Sequence, residues 1–141
     1  ISVWLEFRRV LFRSNNYMEQ ILSFSSQPID KYNGRKITDA WFEFDTLSLQ
    51  FEDGTIINIL DDGQSCCENR FMTCDDDVKQ LIGQTLKHIT VKDTDYRAGD
   101  YDVIEICFLE IQGDKSSVTF STHNEHNGYY GGFSLHIEEA G

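Results

Sequence analysis

From Gly34 onward, apolar and polar residues alternate in short runs, and this period-two pattern is the strongest constraint on the fold. The first three runs cover residues 37–44, 47–51 and 55–60, with short polar separators between them. The second separator contains Asp53-Gly54, a pair that supplies the positive φ a tight hairpin needs. The pattern therefore predicts an antiparallel meander of three strands.

Four further runs alternate well enough to be strands, and one segment before them has helical spacing. In that segment Val78, Leu81 and Ile82 stand at i, i+3 and i+4 after three aspartates, and Gly83 follows as a stop signal. The strand runs cover residues 86–91, 101–111, 117–122 and 132–137. The charged segment 92–100 is predicted to be a loop. The sequence thus predicts an α+β fold, a mostly antiparallel β-sheet of about six to seven strands with one short helix.

The first residues differ in character from the rest, because residues 1–14 are basic and apolar whereas the chain after them is acidic. From Trp4 to Ser14 the string resembles a translated sequencing-library adapter, with TGA read as tryptophan. We interpret residues 1–14 as a non-native, adapter-derived scar and residues 15–33 as a leader segment. A single α+β domain is expected over residues 34–141.

The charge of the remaining chain limits its partners. Without the scar it has 9 basic and 23 acidic side chains, so its formal charge falls from −12 to −14. Nucleic-acid binding that ignores sequence depends on Lys and Arg neutralising phosphates, and anionic membranes attract basic segments. We therefore expect no direct nucleic acid binding and no membrane contact, and a basic protein surface is the partner that this charge favours.

The cysteines indicate a reducing compartment. Cys66, Cys67, Cys74 and Cys107 are irregularly spaced, and two of them are adjacent, which is not the pattern of a disulfide framework. No secretory signal pattern is recognised in the chain. We expect reduced thiols in the cytoplasm.

Two polar stretches do not match ordinary strands or turns: DDGQSCCE at residues 61–68 and THNEHNGYYGGF at residues 122–133. So many hydrogen-bonding groups, with two tyrosines, are typical of a polar recognition site at strand ends. The candidate binding residues are Asp61, Asp62, Cys66, Cys67, Glu68, Arg70, His123, Asn124, Glu125, His126, Asn127, Tyr129 and Tyr130.

The two motifs, together with the acidic segment 75–77, resemble the signature of an uncharacterised domain family of bacteriophages and their bacterial hosts. The resemblance covers roughly residues 34–137. It implies a phage-like setting, with the host cytoplasm as the compartment, and it implies no particular reaction. Cys74 stands where the family has a hydroxyl residue, which argues against Cys74 as an essential ligand.

The leading interpretation is a small acidic binding or interaction module, whose site both motifs form if they meet in space. The alternative is a metal-binding or Cys/His-dependent, hydrolase-like enzyme that uses the same segments. A zinc ion would take its ligands from Cys66, Cys67, His123 and His126, although the side chains of adjacent cysteines diverge.

In the enzyme alternative, Cys66 or Cys67 would be the nucleophile and one of the two histidines the base. The neighbouring acidic side chains Asp61, Asp62 and Glu68 oppose thiolate formation, although Arg70 offsets them.

A purely structural interpretation also accounts for much of this sequence. The Asp, Asn and Gly residues shape turns, and cysteines such as Cys107 fill small apolar sites. On this interpretation Trp41, Phe42 and Phe44 pack in the core and on the sheet faces.

Overall fold

The computed structural model describes residues 29–61, 63, 68–98, 103–128 and 132–140, and for residues 92–98 it describes the backbone alone. This part of the chain contains eight strands and one 3-10 turn. The strands before the turn are β1 (Ile37–Glu43), β2 (Thr46–Phe51), β3 (Ile56–Asp61) and β4 (Glu68–Cys74). The 3-10 turn spans Val78–Leu81, and the strands after it are β5 (Leu86–Ala98), β6 (Val103–Gly113), β7 (Ser117–His126) and β8 (Leu135–Ala140).

The strands form two four-stranded sheets with the orders β1-β2-β3-β8 and β4-β7-β6-β5. Every pairing between strands is antiparallel. The meander predicted for the first three strands is present, and the prediction of a mostly antiparallel fold is confirmed. The sheets differ from the prediction in number, since the described residues form two sheets with eight strands instead of one sheet of six to seven.

The predicted helix is a single 3-10 turn of four residues, so the α+β prediction is corrected to a fold with very little helix. Asp77 caps the turn by accepting the N–H of Lys79 at 3.0 Å. The chain leaves the turn at once, because the N–H of Gly83 donates to the carbonyl of Ile37 and the N–H of Ile37 donates to the carbonyl of Gln84, both at 2.8 Å. Pairing with β1 therefore ends the helix. No helix in the described residues is long and apolar enough to cross a membrane.

Three segments are strand where the sequence predicts loop. Strand β4 occupies the end of the first motif and the residues after it, β7 continues to His126, and β5 continues to Ala98 through a bulge after Lys92. In β4 and β7 the period of two is kept, but the inward-facing residues at this end are polar. The alternation of apolar and polar residues that marks a strand in the sequence is therefore lost.

One core lies between the two sheets. Strand β6 alternates between buried and partly buried residues over its whole length, which places Cys107 and Leu109 fully inside. The two sheets meet where the ring of Phe42 packs edge-on against Phe120, with centroids 5.4 Å apart. Tyr32 is also fully buried and stacks on Phe51, so the packed part of the described chain includes residues before Gly34.

Candidate functional site

The last residue of the first motif lies beside the second motif, because β4, which begins at Glu68, pairs with β7 in antiparallel register. Glu68 is opposite His126, and Arg70 is opposite Asn124. The end of the DDGQSCCE motif and the start of the THNEHNGYYGGF motif are thus neighbouring strands and not loops.

Six polar side chains converge on the inner side of these strands, and we call them the polar network. Glu68 and Arg70 come from β4, Asn124 and His126 from β7, and a side chain from the adjacent strand β6 joins them. The sixth side chain is at the end of β3 in the other sheet, so the network bridges the two sheets. Its members are Asp61, Glu68, Arg70, Glu105, Asn124 and His126.

Arg70 lies between two buried carboxylates. Its Nη1 donates to both oxygens of Asp61 at 2.8 and 3.1 Å, and its Nη2 donates to both oxygens of Glu68 at 3.1 and 3.0 Å. The exposed fractions of the three side chains are 7% for Arg70, 4% for Asp61 and 0% for Glu68. Charges so far from water are stable only when they are paired and hydrogen-bonded, and this geometry meets both conditions.

Asn124 connects this cluster to the second motif. Its Nδ2 donates to Glu68 Oε2 at 2.7 Å and to the carbonyl of Gly132 at 2.8 Å. Its Oδ1 is buried and has no hydrogen-bond partner among the described residues. Rotating the amide by half a turn would bring Oδ1 against two other acceptors, so the orientation of the amide is fixed.

His126 is held by a hydrogen bond at each ring nitrogen. The backbone N–H of Gly128 donates to its Nδ1 at 2.9 Å, so Nδ1 carries no proton. Its Nε2 lies 2.6 Å from Glu105 Oε1, and it donates its proton to that carboxylate oxygen. The ring is therefore neutral, and no lone pair is left to accept a proton from another molecule.

The network fixes the backbone on both sides of residues 129–131. Besides the Gly128 bond, the N–H of Gly132 donates to Glu105 Oε1 at 2.9 Å and the N–H of Ser134 donates to Asp61 Oδ1 at 2.9 Å. The φ angles of Gly128 and Gly132 are +89° and +78°, which favour glycine at both positions. Buried side chains thus anchor the chain before and after residues 129–131.

Gly63 of the first motif packs against the same cluster. Its N–H donates to Asp61 Oδ1 at 3.2 Å. A Cβ at this position would lie 2.6 Å from Arg70 Nη1 and 2.8 Å from Ser134 Oγ, closer than real contacts allow. Glycine is needed here because the chain passes so close to the guanidinium.

His123 lies on the opposite face of β7 from His126. Its ring stacks on Phe71 with the centroids 4.5 Å apart, and Nε2 is 3.3 Å from Thr73 Oγ1. Partial burial lowers the pKa of His123, and the nearby charge of Glu125 opposes this change. The two imidazoles therefore do not converge on one point.

The structure brings together Asp61, Glu68, Arg70, Asn124 and His126 of the sequence-predicted site. Glu125 and Asn127 are exposed. Asp62, Cys66, Cys67, Tyr129 and Tyr130 lie outside the described residues. Within the described ranges, no group of three or more His, Cys, Asp or Glu side chains is arranged to hold a metal ion.

Glu105 is the network member that the sequence interpretation missed. It is 1% exposed and lies on the same buried face of β6 as the apolar residues Val103 and Cys107. A single carboxylate on the apolar face of a strand was the available signal, because a buried acid requires a specific partner.

The family comparison places these motifs within one domain. A family model described as a domain of unknown function (DUF7448) matches residues 30–136, which include both motifs and reach from before β1 into β8. A search of curated proteins found no match, and a search of solved structures found none either.

Proposed function

We propose that this chain, which belongs to the family of the domain of unknown function DUF7448, is a binding module for a basic protein surface. The module uses the end of the molecule where the two motifs adjoin, with the polar network as a rigid frame beneath the contact surface. Recognition then depends on the exposed residues and backbone groups that this frame positions.

The observation that carries this proposal is the double hydrogen bonding of His126. A general base must offer an unprotonated nitrogen to its substrate or nucleophile. The Nδ1 of His126 instead accepts the N–H of Gly128, and Nε2 donates to Glu105. The buried histidine of the motif is thus committed to holding the backbone, which favours a structural role for the network.

The charge of the chain supports a basic partner. The formal net charge is −12, and the exposed side chains on and beside the motif strands include the carboxylate of Glu125 and the amides of Asn69 and Asn127. A surface with negative charge and hydrogen-bonding groups attracts Lys and Arg side chains, and it increases the rate of encounter with them.

The enzyme alternative receives less support from the geometry. A zinc site or a Cys–His pair would draw on Cys66 or Cys67 together with the two histidines, but His123 and His126 face opposite sides of β7. An active base at His126 would first have to lose its bond to Gly128. No observation in the described residues favours this alternative over binding.

We also propose a phage-linked cytoplasmic setting. The motif resemblance is the basis for the phage origin. The basis for the cytoplasmic compartment is the irregular spacing of the four cysteines, two of them adjacent, which is not the pattern of a disulfide framework.

Nuclear magnetic resonance with a defined basic probe tests the binding proposal. A peptide of alternating lysine and serine is added to the ¹⁵N-labelled protein, and a glutamate–serine peptide is the control. We expect saturable shifts of the amides at the motif end, notably Gly63, Gly128, Gly132 and Ser134, that weaken as salt is added. Shifts spread evenly over the acidic surface, or no shifts at all, would contradict the proposal.

A further inference from the structure

The turn between β1 and β2 has an unusual sequence for its backbone geometry. Its two central residues, Phe44 and Asp45, have φ angles of +52° and +56°. A hairpin turn with two positive φ angles favours Asn and Gly, because a Cβ is strained in this region. A phenylalanine at the first position therefore lowers the stability of the folded state.

The ring of Phe44 gains nothing from packing to offset this strain. It is 92% exposed, whereas the sequence predicts that it packs in the core or on a sheet face. The turn is nevertheless held in place, since Asp45 Oδ1 accepts the N–H of Met72 at 3.1 Å and Thr46 Oγ1 donates to the carbonyl of Phe44 at 3.2 Å. Strained residues that the surrounding structure holds in place are concentrated at functional sites.

A cavity of about 190 Å³ adjoins the turn, and we call it the turn cavity. Phe44 and Asp45 line it together with the apolar side chains of Leu60 and Met72. Asp61 of the polar network lines it too, so the turn cavity connects directly to the motif end. Its volume suits one long side chain better than a single water molecule.

The charges around the turn cavity favour a cation. Arg70 also lines it, but its guanidinium is already paired with Asp61 and Glu68. Asp45 is exposed and uses Oδ1 for the N–H of Met72, while no described residue donates to its Oδ2. A carboxylate oxygen beside an exposed aromatic ring is an arrangement that attracts an ammonium or guanidinium group.

We propose that the turn cavity receives one lysine or arginine side chain of the partner. The aliphatic stem lies against Leu60 and Met72, and the charged group contacts Asp45 Oδ2 and the face of Phe44. This inference rests on the proposed function, because it names the contact by which a basic surface is recognised.

Binding of the lysine–serine peptide to four single variants, measured by calorimetry, tests this assignment. Phe44→Leu keeps an apolar side chain without the π system, and Phe44→Tyr keeps the π system. Asp45→Asn removes the charge but retains an acceptor for Met72. Glu52→Gln is the matched control, because it makes the same charge change in an exposed residue at the other end of β2, about 20 Å along the strand.

We expect Phe44→Leu to weaken binding by about two- to fivefold and Phe44→Tyr to leave it unchanged, as a cation–π contact requires. Asp45→Asn weakens binding more than Glu52→Gln does. If the wild type binds the peptide and Phe44→Leu and Asp45→Asn have no more effect than Glu52→Gln, the turn cavity is not the contact. If the folded wild type does not bind the peptide, the proposed function itself is overturned.

Discussion

Replacing Arg70 with methionine is the strongest test of the polar network. The change removes the guanidinium from between Asp61 and Glu68, whose side chains are 4% and 0% exposed. Removing one partner of a buried ion pair costs about 3–5 kcal/mol, because a buried charge is left behind. We therefore expect the free energy of unfolding to fall by about 4 kcal/mol, a large share of the roughly 5–15 kcal/mol that stabilises a typical domain.

Urea unfolding followed by tryptophan fluorescence measures this loss. Lys79→Met is the control, because Lys79 forms a 3.4 Å ion pair with Asp39 in which both side chains are about half exposed. Such a pair contributes only about 0–1 kcal/mol. Adding Asp61→Asn and Glu68→Gln to Arg70→Met removes the uncompensated charges and is expected to restore much of the stability. An Arg70→Met loss no larger than the Lys79→Met loss, or no recovery on neutralisation, would mean that Arg70 does not stabilise the fold by compensating buried charge.

Three further changes have defined outcomes. Gly63→Ala places a Cβ 2.6 Å from Arg70 Nη1 and 2.8 Å from Ser134 Oγ, so we expect the free energy of unfolding to fall by about 1–3 kcal/mol. An unchanged melting temperature would be evidence against this close packing. Burial holds the pKa of His123 below its usual 6.5, so the folded protein prefers the neutral ring. The contribution of the neutral His123 ring to stability is complete above pH 6.5 and is lost as the pH falls towards the lowered pKa. The variant His123→Gln is expected to flatten this part of the stability–pH curve. An equally steep curve in the variant would mean that His123 does not cause the pH dependence. Phe44→Asn relieves the strain of a φ angle of +52° and loses no packing, so it is expected to raise the free energy of unfolding by about 1 kcal/mol, whereas lower stability would mean that the ring makes a stabilising contact.

The strands of the apolar core could be predicted from the sequence because their pattern is local. In β6 buried residues alternate with partly buried ones, and in β2 every second residue, Leu47, Leu49 and Phe51, is apolar and buried. Tight turns follow both strands. The existence of β4 could not be predicted in the same way. Its inner residues Glu68 and Arg70 are buried through ion pairs, and a hydropathy pattern does not distinguish such residues from exposed loop residues.

Much of the candidate site depends on contacts between residues far apart in the chain. The sequence singles out Glu68, Arg70, Asn124 and His126 as unusual, but only strand pairing places them together. Glu105 belongs to the polar network only because β6 pairs with β7, and its hydrogen-bond partner His126 lies 21 positions away in the chain. The helix after Asp77 was predicted from a correct local pattern and is wrong because pairing with β1 ends it after one turn.

The tautomer of His126 distinguishes a frame for binding from a catalytic site, because a catalytic base needs an unprotonated nitrogen that is not already hydrogen-bonded. Long-range ¹H–¹⁵N correlation spectra of the histidine rings, recorded at neutral pH and assigned with a His126→Gln variant, report the protonation of each nitrogen. We expect a neutral ring with the proton on Nε2 and an Nδ1 that accepts the N–H of Gly128. A proton on Nδ1, or a ring that exchanges freely between tautomers, would contradict this expectation.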